Sequence, residues 1–243
     1  MVTGASRGIG AATARLAAAR GFGVCVNYHR SVYAAGEVVA DCREAGVGAV
    51  AVAGDMAVEG DVVALFETAE AELGPVTGLV NNAGIVAPQA RLDSYSRERL
   101  EEMMAVNVIG PFLCAREAVK RMSTRYGGAG GSIVNVSSAA ALLGSPNEFI
   151  DYAASKGALD SMTIGLAKEV AAEGIRVNAV RPGLIYTDIH ASAGAPDRVE
   201  QLVGGVPMGR GGTAGEVAEA VLWLLSPAAG YVTGAFINVT GGR

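Results

Sequence analysis

Short apolar runs rich in valine and isoleucine alternate with longer segments of helical periodicity along the whole chain. The short runs lie at 24–28, 47–53, 78–81, 132–137, 175–180 and 235–239. The helical patterns lie near 8–20, 32–45, 60–73, 96–125, 150–173 and 213–225. Strands that alternate with helices of this length are typical of βαβ units, in which helices cover both faces of a parallel sheet. The pattern therefore predicts an α/β fold.

Nothing in the sequence divides the chain into parts. It has no linker rich in Pro, Gly and Ser, no composition shift and no internal repeat, so we predict a single domain over residues 1–243. The segment 182–212 is long, rich in glycine and weakly periodic, which is typical of a lid or a binding segment. We expect residues 184–212 to form a substrate-binding lid, with Tyr186, Asp188 and His190 as candidate contacts.

Composition excludes several classes of protein. Apolar residues make up 51% of the chain and charged residues 18%, which excludes intrinsic disorder. The 19 Lys and Arg against 24 Asp and Glu give a net charge of −5, whereas a nucleic-acid partner would require a clustered positive field. Three scattered cysteines do not make a disulfide framework, and two histidines do not make a three-histidine metal site. We predict a cytoplasmic protein without a metal site.

Two uncharged stretches, 127–147 and 220–242, raise the question of a membrane span. Both contain proline, asparagine and several glycines, which interrupt a spanning helix. Short buried strands explain the absence of charge better, so we predict that the protein does not enter a membrane.

A glycine-rich turn follows the first predicted strand and precedes an alanine-rich helix. Residues 3–10 read Thr-Gly-Ala-Ser-Arg-Gly-Ile-Gly, and only residues 1–3 are available for the strand. Such a turn lets backbone amides and a helix N-terminus approach a pyrophosphate, where the helix dipole favours negative charge. On its own the motif also fits a tight turn without a ligand. The candidate cofactor-binding residues here are Gly4, Ser6, Arg7, Gly8, Ile9 and Gly10.

The end of the second predicted strand bears on the choice of dinucleotide. An acidic residue there would bind a free ribose 2′-hydroxyl, whereas a 2′-phosphate requires cations and no acid. This chain has Asn27 and Arg30 at that point, and its first acidic residue is Glu37. Arg7 and Arg30 are therefore candidates for binding the 2′-phosphate, with solvated surface arginines as the alternative. The sequence favours NADP(H) over NAD(H).

Two further segments follow predicted strands, where ligands bind in open α/β sheets. Asp55 and Met56 come after the third strand, where the Asp55 carboxylate is placed to meet an adenine amino group or to cap a turn. The small residues of Asn82-Ala83-Gly84 come after the fourth strand and let the backbone pass close to an adenosine, although such residues also suit a plain turn.

Candidate catalytic residues lie on the predicted helix over 150–173 and just before it. Tyr152 and Lys156 are four residues apart and so share one helix face, where the ammonium would lower the pKa of the phenol. Ser138 ends the preceding strand, where its hydroxyl could hold a carbonyl oxygen. Asn107 is an unfavourable residue in the middle of a helix, which suggests a packing kink or a bound water. The alternatives are an accidental Tyr/Lys surface pair and a polar strand end.

Together these residues resemble the short-chain dehydrogenase/reductase family over essentially the whole chain. The resemblance rests on residues 3–10, Asn81-Asn82-Ala83-Gly84, Asn107, Ser138, Tyr152-x3-Lys156 and Arg181-Pro182-Gly183 with Thr187. It implies a doubly wound Rossmann fold with a parallel seven-stranded sheet and a homotetramer. It also implies that Tyr152 exchanges a proton with the substrate oxygen, Ser138 orients the carbonyl, Lys156 holds the nicotinamide ribose and Asn107 orders a water.

The resemblance also identifies residues beside the nicotinamide and a point of difference. Pro182, Gly183, Ile185 and Thr187 would flank the nicotinamide. Tyr152 follows Ser138 by 14 residues, which is a longer spacing than many members have, so we expect a reshaped loop at 147–151. The implied function is NADP(H)-dependent hydride transfer between an alcohol and a carbonyl on a small substrate, such as a sugar, polyol or ketone.

Two other functions remain as alternatives. In 3-oxoacyl-(acyl-carrier-protein) reductases an arginine typically stands just before the glycine that ends the Tyr/Lys helix, whereas this chain has Glu173, which would repel an acidic carrier. A non-catalytic dinucleotide sensor or structural subunit would keep the fold and lose some of Asn107, Ser138, Tyr152 and Lys156, yet all four are present. A hydrolase is disfavoured because the chain has no Gly-x-Ser-x-Gly motif.

Overall fold

The computed structural model describes residues 1–243, with all side chains except those of His190 and Ser192. Its strands are β1 (Val24–Tyr28), β2 (Ala49–Ala53), β3 (Gly78–Asn81), β4 (Gly131–Val136), β5 (Ile175–Pro182), β6 (Ile185–Tyr186), β7 (Gly212–Thr213) and β8 (Phe236–Val239). Strand β1 pairs with β2, and β3, β4, β5 and β8 pair in that order. All of these pairings are parallel, as is the small separate pair β6–β7.

Residues 1–3 join the two parts of the main sheet through backbone hydrogen bonds to Cys25, Asn27 and Val80. Val2 forms parallel bridges to Val26 of β1 and to Val80 of β3, so the N-terminal residues occupy the place of a strand between them. The main sheet thus consists of six strands and this one-residue bridge among the described residues. The parallel sheet is confirmed, but the expected count of seven strands is not, because an isolated bridge at Val2 stands in the place of the seventh strand.

The helices cover both faces of this sheet. They are α1 (Gly8–Ala19), α2 (Val32–Glu44), α3 (Glu59–Leu73), α4 (Arg97–Met104), α5 (Gly110–Met122), α6 (Ala140–Leu143), α7 (Ile150–Val170), α8 (Ile189–Ser192), α9 (Arg198–Leu202) and α10 (Ala214–Leu225). Because side chains alternate across a strand, neighbouring strand residues enter different cores. Val134 packs in the cluster that contains residues of α1, α2 and α10, and Ile133 packs in the cluster that contains residues of α3, α5 and α7.

The long predicted helix over 96–125 is interrupted in the structure. Helices α4 and α5 are separated by a π-helical turn over Ala105–Ile109, which contains Asn107. A π-turn inserts one residue into the helical ladder and is frequent at functional sites. No helix in the part of the chain that the structure describes is both long enough and apolar enough to cross a membrane.

Candidate active site at the carboxyl edge of the sheet

The segments that leave the carboxyl ends of β3, β4 and β5 meet at a cleft of about 450 Å³. Sequence-predicted site residues form one part of its lining: Ile9, Asn82, Gly84, Ser138, Tyr152, Lys156, Pro182, Gly183, Ile185 and Thr187. Parallel strands end at the same edge of a sheet, so residues far apart in sequence converge there. The cleft is therefore the candidate active site.

The glycine-rich turn can exist only with glycine at three positions, for two physical reasons. Gly4 and Gly8 have φ values of +59° and +56°, in the left-handed region that side chains disfavour. A Cβ on Gly10 would lie 2.5 Å from Asn82 Nδ2 and 2.6 Å from the Gly4 carbonyl oxygen, closer than atoms can approach. The turn is thus packed directly against the segment that follows β3.

Side chains of the neighbouring strands fix this turn from behind. Thr3 Oγ1 accepts hydrogen bonds from the amides of Asn82 and Ala83, each at 3.0 Å. Asn82 Nδ2 donates to the carbonyls of Thr3 and Gly4, and Asn27 Oδ1 accepts from the Gly4 amide at 3.0 Å. The side chains of Asn27 and Asn82 are therefore engaged in holding the turn. Thr3 was missed as a site residue, although its place before the first glycine was the available signal.

The N-terminus of α1 faces outward from this turn. Among the described side chains, none caps the first amides of α1, and the first turn contains no acidic residue. Uncapped amides at a helix N-terminus form a site for an anion such as a pyrophosphate. Arg7 is the exposed residue at the N-cap position, and Ser6 is half-buried beside it. This end of the turn fits the diphosphate of a dinucleotide.

The two segments after β1 and β2 differ in what they offer a cofactor. Arg30 is exposed just beyond β1, and His29 Nε2 lies 3.8 Å from Asp55 Oδ2. Asp55 also accepts a hydrogen bond from the Ala57 amide at 2.9 Å, so it has the turn-forming contact that the sequence left open. Met56 is buried, and Cys114 Sγ lies 3.7 Å from its sulfur. A cofactor contact from Met56 would therefore have to come from its main chain.

Tyr152 and Lys156 project from one face of α7 into the cleft. The Lys156 ammonium is buried, lies 5.6 Å from the centre of the Tyr152 ring and donates to the Val136 carbonyl at 2.9 Å. Burial lowers the pKa of Lys156 to about 8, and the charge of Asp160 opposes this shift. Burial raises the pKa of Tyr152, and the nearby Ser138 hydroxyl opposes that shift. The pKa of the phenol is thus shifted in the direction opposite to the one that the Tyr/Lys spacing suggested.

Asn107 is fully buried in the π-helical turn and secures the segment that follows β3. Its Oδ1 accepts from the Ile85 amide at 2.8 Å, and its Nδ2 donates to the Ile85 carbonyl at 2.9 Å and to Ser155 Oγ at 3.2 Å. A Cβ on Gly84 would lie 3.3 Å from Asn107 Oδ1 and 3.5 Å from Lys156 Nζ. The helical kink that the sequence suggested is present, and Asn107 and Lys156 both lie close to Gly84.

The loop between Ser138 and Tyr152 contributes residues that sequence reasoning missed. Ser145 and Asn147 have φ values of +45° and +62°, a strained conformation for residues other than glycine. Ser145, Glu148 and Phe149 line the cleft. The longer spacing between Ser138 and Tyr152 was the only sequence signal for this loop.

The segment predicted as a lid also reaches the cleft. The β6–β7 pair joins its two ends, and Ile189, Ala193 and Arg198 line the cleft from it. Tyr186 is half exposed and lies next to Gly211, away from the cleft lining. The side chain of His190 lies outside the described residues.

Glu173, the residue expected to repel an acidic carrier protein, is held in place by neighbouring residues. Ser123 Oγ donates to its carboxylate at 2.5 Å, and Arg125 Nη1 lies 3.9 Å away. Glu173 is therefore a fixed acidic group, and among the described side chains Arg125, which is itself largely exposed, partly neutralises it. Among the described side chains, no group of three or more His, Cys, Asp or Glu is placed to hold a metal ion.

Comparison with known proteins extends over the whole chain. Residues 4–243 match the family model described as enoyl-(acyl carrier protein) reductase. An uncharacterized oxidoreductase of Escherichia coli strain K12, YgfF, is 53% identical over 243 residues, which cover 100% of this chain and 98% of that protein. A 3-oxoacyl-(acyl-carrier-protein) reductase of Synechocystis sp. is 39% identical over 246 residues, which cover 100% of this chain and 95% of that protein.

A solved structure shows the same fold in a complex with a nicotinamide cofactor. It is a blue fluorescent protein from a metagenomic library in complex with NADPH, with a TM-score of 0.90 and 37% sequence identity. The match covers 99% of this chain and 95% of the other. The Rossmann-like α/β architecture is therefore shared with an NADPH-binding protein.

Proposed function

The chain belongs to the short-chain dehydrogenase/reductase family, whose members are NAD(P)-dependent oxidoreductases that act on CH–OH groups. On this premise we propose that it transfers a hydride between NADP(H) and an alcohol/carbonyl pair on a small organic substrate, such as a sugar, polyol or ketone, with Tyr152 as general acid/base. One observation carries the proposal: Ser138, Tyr152 and Lys156 line the same cleft as the residues that would flank a nicotinamide.

The residues around the glycine-rich turn fit a dinucleotide. Gly4 and Gly8 adopt the left-handed backbone conformation that the tight turn needs, and the uncapped N-terminus of α1 favours the negative charge of a diphosphate. When bound, the nicotinamide supplies the hydride of the reaction. The residues proposed to hold the cofactor are Gly4, Ser6, Arg7, Gly8, Ile9, Gly10, Asn27, Arg30, Asp55, Met56, Asn82, Ala83, Gly84, Tyr152, Lys156, Pro182, Gly183, Ile185 and Thr187.

The protein's own side chains move the proton and stabilise charge on the reacting oxygen. During carbonyl reduction the Tyr152 hydroxyl donates its proton to the substrate oxygen, and in the reverse direction the phenolate takes the proton back. The Ser138 hydroxyl, which lines the same cleft as Tyr152, orients the same oxygen. Lys156 holds the nicotinamide ribose, and Asn107 orders a water that links Lys156 to solvent.

We expect the cofactor preference to depend on Arg30. Replacing Arg30 with Asp would remove a cation near a 2′-phosphate and supply a carboxylate for a free 2′-hydroxyl. The ratio of kcat/KM for NADPH over NADH should therefore fall at least about tenfold, as expected for the loss of a charged hydrogen bond. Arg125→Asp, a largely exposed site next to Glu173, is the control. A wild-type preference for NADH would contradict the proposed NADP(H) dependence.

The NADPH affinity should depend on pH through Lys156. The pKa of its ammonium is about 8, so the group is charged below pH 8 and becomes neutral above it. A charged lysine binds ribose hydroxyls more strongly, and we expect the Kd for NADPH to rise about tenfold between pH 7 and pH 9. Lys156→Arg keeps its charge and should show a flat profile over that range. Identical profiles for the two proteins, measured by fluorescence titration, would exclude this role.

The carrier-protein reductase is the second candidate within the same reaction class. The 39% identity to the Synechocystis reductase favours it, whereas the fixed carboxylate of Glu173 disfavours an acidic carrier. The rates of reduction of a 3-oxoacyl group on carrier protein and on a small thioester distinguish the carrier-protein reductase from the proposed small-substrate enzyme. Faster turnover of the carrier-bound substrate would replace our proposal with this one. A non-catalytic dinucleotide sensor would bind NADPH and reduce neither.

The most direct test of the proposed function is a panel of ketones, aldehydes, sugars and polyols, assayed with NADPH, NADH and their oxidised forms. We expect NADP(H)-dependent turnover of at least one alcohol/carbonyl pair. Tight binding of NADPH with no turnover of any pair in either direction would favour the non-catalytic alternative.

We further propose a single-domain subunit with residues 184–212 as its lid, a cytoplasmic location and a homotetramer. Phe112 and Ile164 are about half exposed on α5 and α7, next to the small residues of α7, and the uncharged C-terminal stretch is a second candidate contact. Phe112→Glu should lower the mass measured by light scattering, whereas Tyr33→Glu, at an exposed site on α2, should not. A monomeric wild-type protein at working concentration would contradict the tetramer.

A further inference from the structure

The substrate end of the cleft has apolar walls. Beyond Ser138 and Tyr152, the described residues that form these walls are Leu143, Pro146, Phe149, Ile189 and Ala193. A sugar or polyol would have to lose water from several hydroxyls against these side chains, which is costly for each hydroxyl left without a hydrogen-bond partner. The lining therefore favours a substrate with a largely apolar body.

A fixed guanidinium stands among these walls. Arg198 of α9 donates two hydrogen bonds to Glu148, at 2.9 Å and 2.6 Å, and its guanidinium lies 5.0 Å from the centre of the Phe149 ring. The Arg198 side chain is only 12% exposed. Held on two sides, the guanidinium keeps further N–H donors and loses little entropy when it binds a ligand.

A second arginine, Arg243, lines the same cleft. Both oxygens of Glu148 already accept from Arg198, and Oε1 also accepts from Gln89. The hydrogen bonds from Arg198 hold the pKa of Glu148 below its usual range, and the charge of Arg243 acts in the same direction. Among the described lining side chains at this end, two cations thus face a single carboxylate.

We propose that the substrate is an apolar ketone or secondary alcohol that carries a carboxylate remote from its reacting carbon. The carboxylate is bound by Arg243 and Arg198, and the carbonyl oxygen lies at Ser138 and Tyr152. The inference rests on the proposed hydride transfer and adds the class of substrate. The carboxylate itself is unchanged by the reaction, since hydride and proton add only across the carbonyl group.

The first test compares kcat/KM for 4-oxocyclohexanecarboxylate, its carboxamide, cyclohexanone and glucose with NADPH. We expect kcat/KM for the acid to exceed that for the amide at least about tenfold, because one charged hydrogen bond contributes a factor of that size. Glucose should have the lowest kcat/KM of the four compounds. Arg243→Gln should reduce the ratio of acid to amide, whereas Arg125→Gln should not change it. Equal rates for acid and amide, or a preference for glucose, would overturn the inference while leaving the proposed function intact.

A change at Glu148 should shift the ratio of kcat/KM for acid over amide in the opposite direction. Glu148→Gln removes the anion that competes for Arg198, so the ratio of acid to amide should rise, whereas it would fall if Glu148 itself contacted the substrate. Calorimetric binding of cyclohexanecarboxylate and its amide to the enzyme with NADPH separates recognition from chemistry, because neither compound has a reducible carbonyl. Stronger binding of the acid supports the carboxylate site even if no ketone is reduced, an outcome that would count against the proposed function alone.

Discussion

Replacement of Tyr152 with phenylalanine should lower kcat by about 10²- to 10⁴-fold, the usual contribution of a general acid. The change removes a single oxygen and keeps the ring, which lies 5.6 Å from the Lys156 ammonium. We therefore expect the Kd for NADPH to stay within about threefold, in line with the small net energy of one neutral hydrogen bond. Steady-state kinetics and a fluorescence titration of the cofactor measure the two quantities.

The matched control for this variant is Tyr231→Phe, which makes the same chemical change at a fully exposed side chain. Its kcat should equal that of the wild type. Turnover by Tyr152→Phe at the wild-type rate would show that another group transfers the proton. A loss of NADPH binding in that variant would instead place Tyr152 in the cofactor site only.

Replacement of Gly10 with alanine should have the second largest effect, on cofactor affinity and stability together. The added Cβ would lie 2.5 Å from Asn82 Nδ2 and 2.6 Å from the Gly4 carbonyl, so the turn and the segment after β3 would have to separate. Overpacking of this kind costs about 1–3 kcal/mol or more, and we expect a lower melting temperature. The displaced turn should also raise the Kd for NADPH more than about tenfold, because a loss of about 1.4 kcal/mol of binding free energy already raises a Kd tenfold.

Gly36→Ala is the control for this substitution. Gly36 lies inside α2, and a Cβ there would meet no atom within 4 Å. Alanine is the better helix former by about 0.5–1 kcal/mol, so this variant should be slightly stabilised and bind NADPH normally. Equal behaviour of the two variants in thermal unfolding and cofactor titration would contradict the close packing of Gly10.

The fold was largely predictable because it depends on local periodicity. Each valine-rich run that forms a buried strand is short, and each amphipathic or alanine-rich segment between two runs is long enough to cross over the sheet. The predicted helix over 150–173 corresponds to α7 and the short 3₁₀ turn after it. The first strand was the weakest element of the pattern, and the structure keeps only the Val2 bridge there.

Several features of the site could not be predicted, because they depend on residues from distant segments. The pKa of Tyr152 is set by its burial in the folded protein, whereas the spacing to Lys156 shows only that the two share a helix face. The predicted direction of the Tyr152 pKa shift was wrong for this reason. Met56 has a sequence position typical of a cofactor contact, but its side chain packs against Cys114 in the core.

By itself the sequence determined the alternation of strands and helices, and with it the edge of the sheet where the glycine-rich turn, Ser138 and Tyr152 meet. Periodicity and strand order are local properties, and a parallel sheet brings the ends of its strands together whatever the loops contain. Only the tertiary structure decided which side chains face the substrate. Glu148, Arg198 and Arg243 come from a loop, a lid helix and the last residue described, and their charges act together because folding brings them into one cleft.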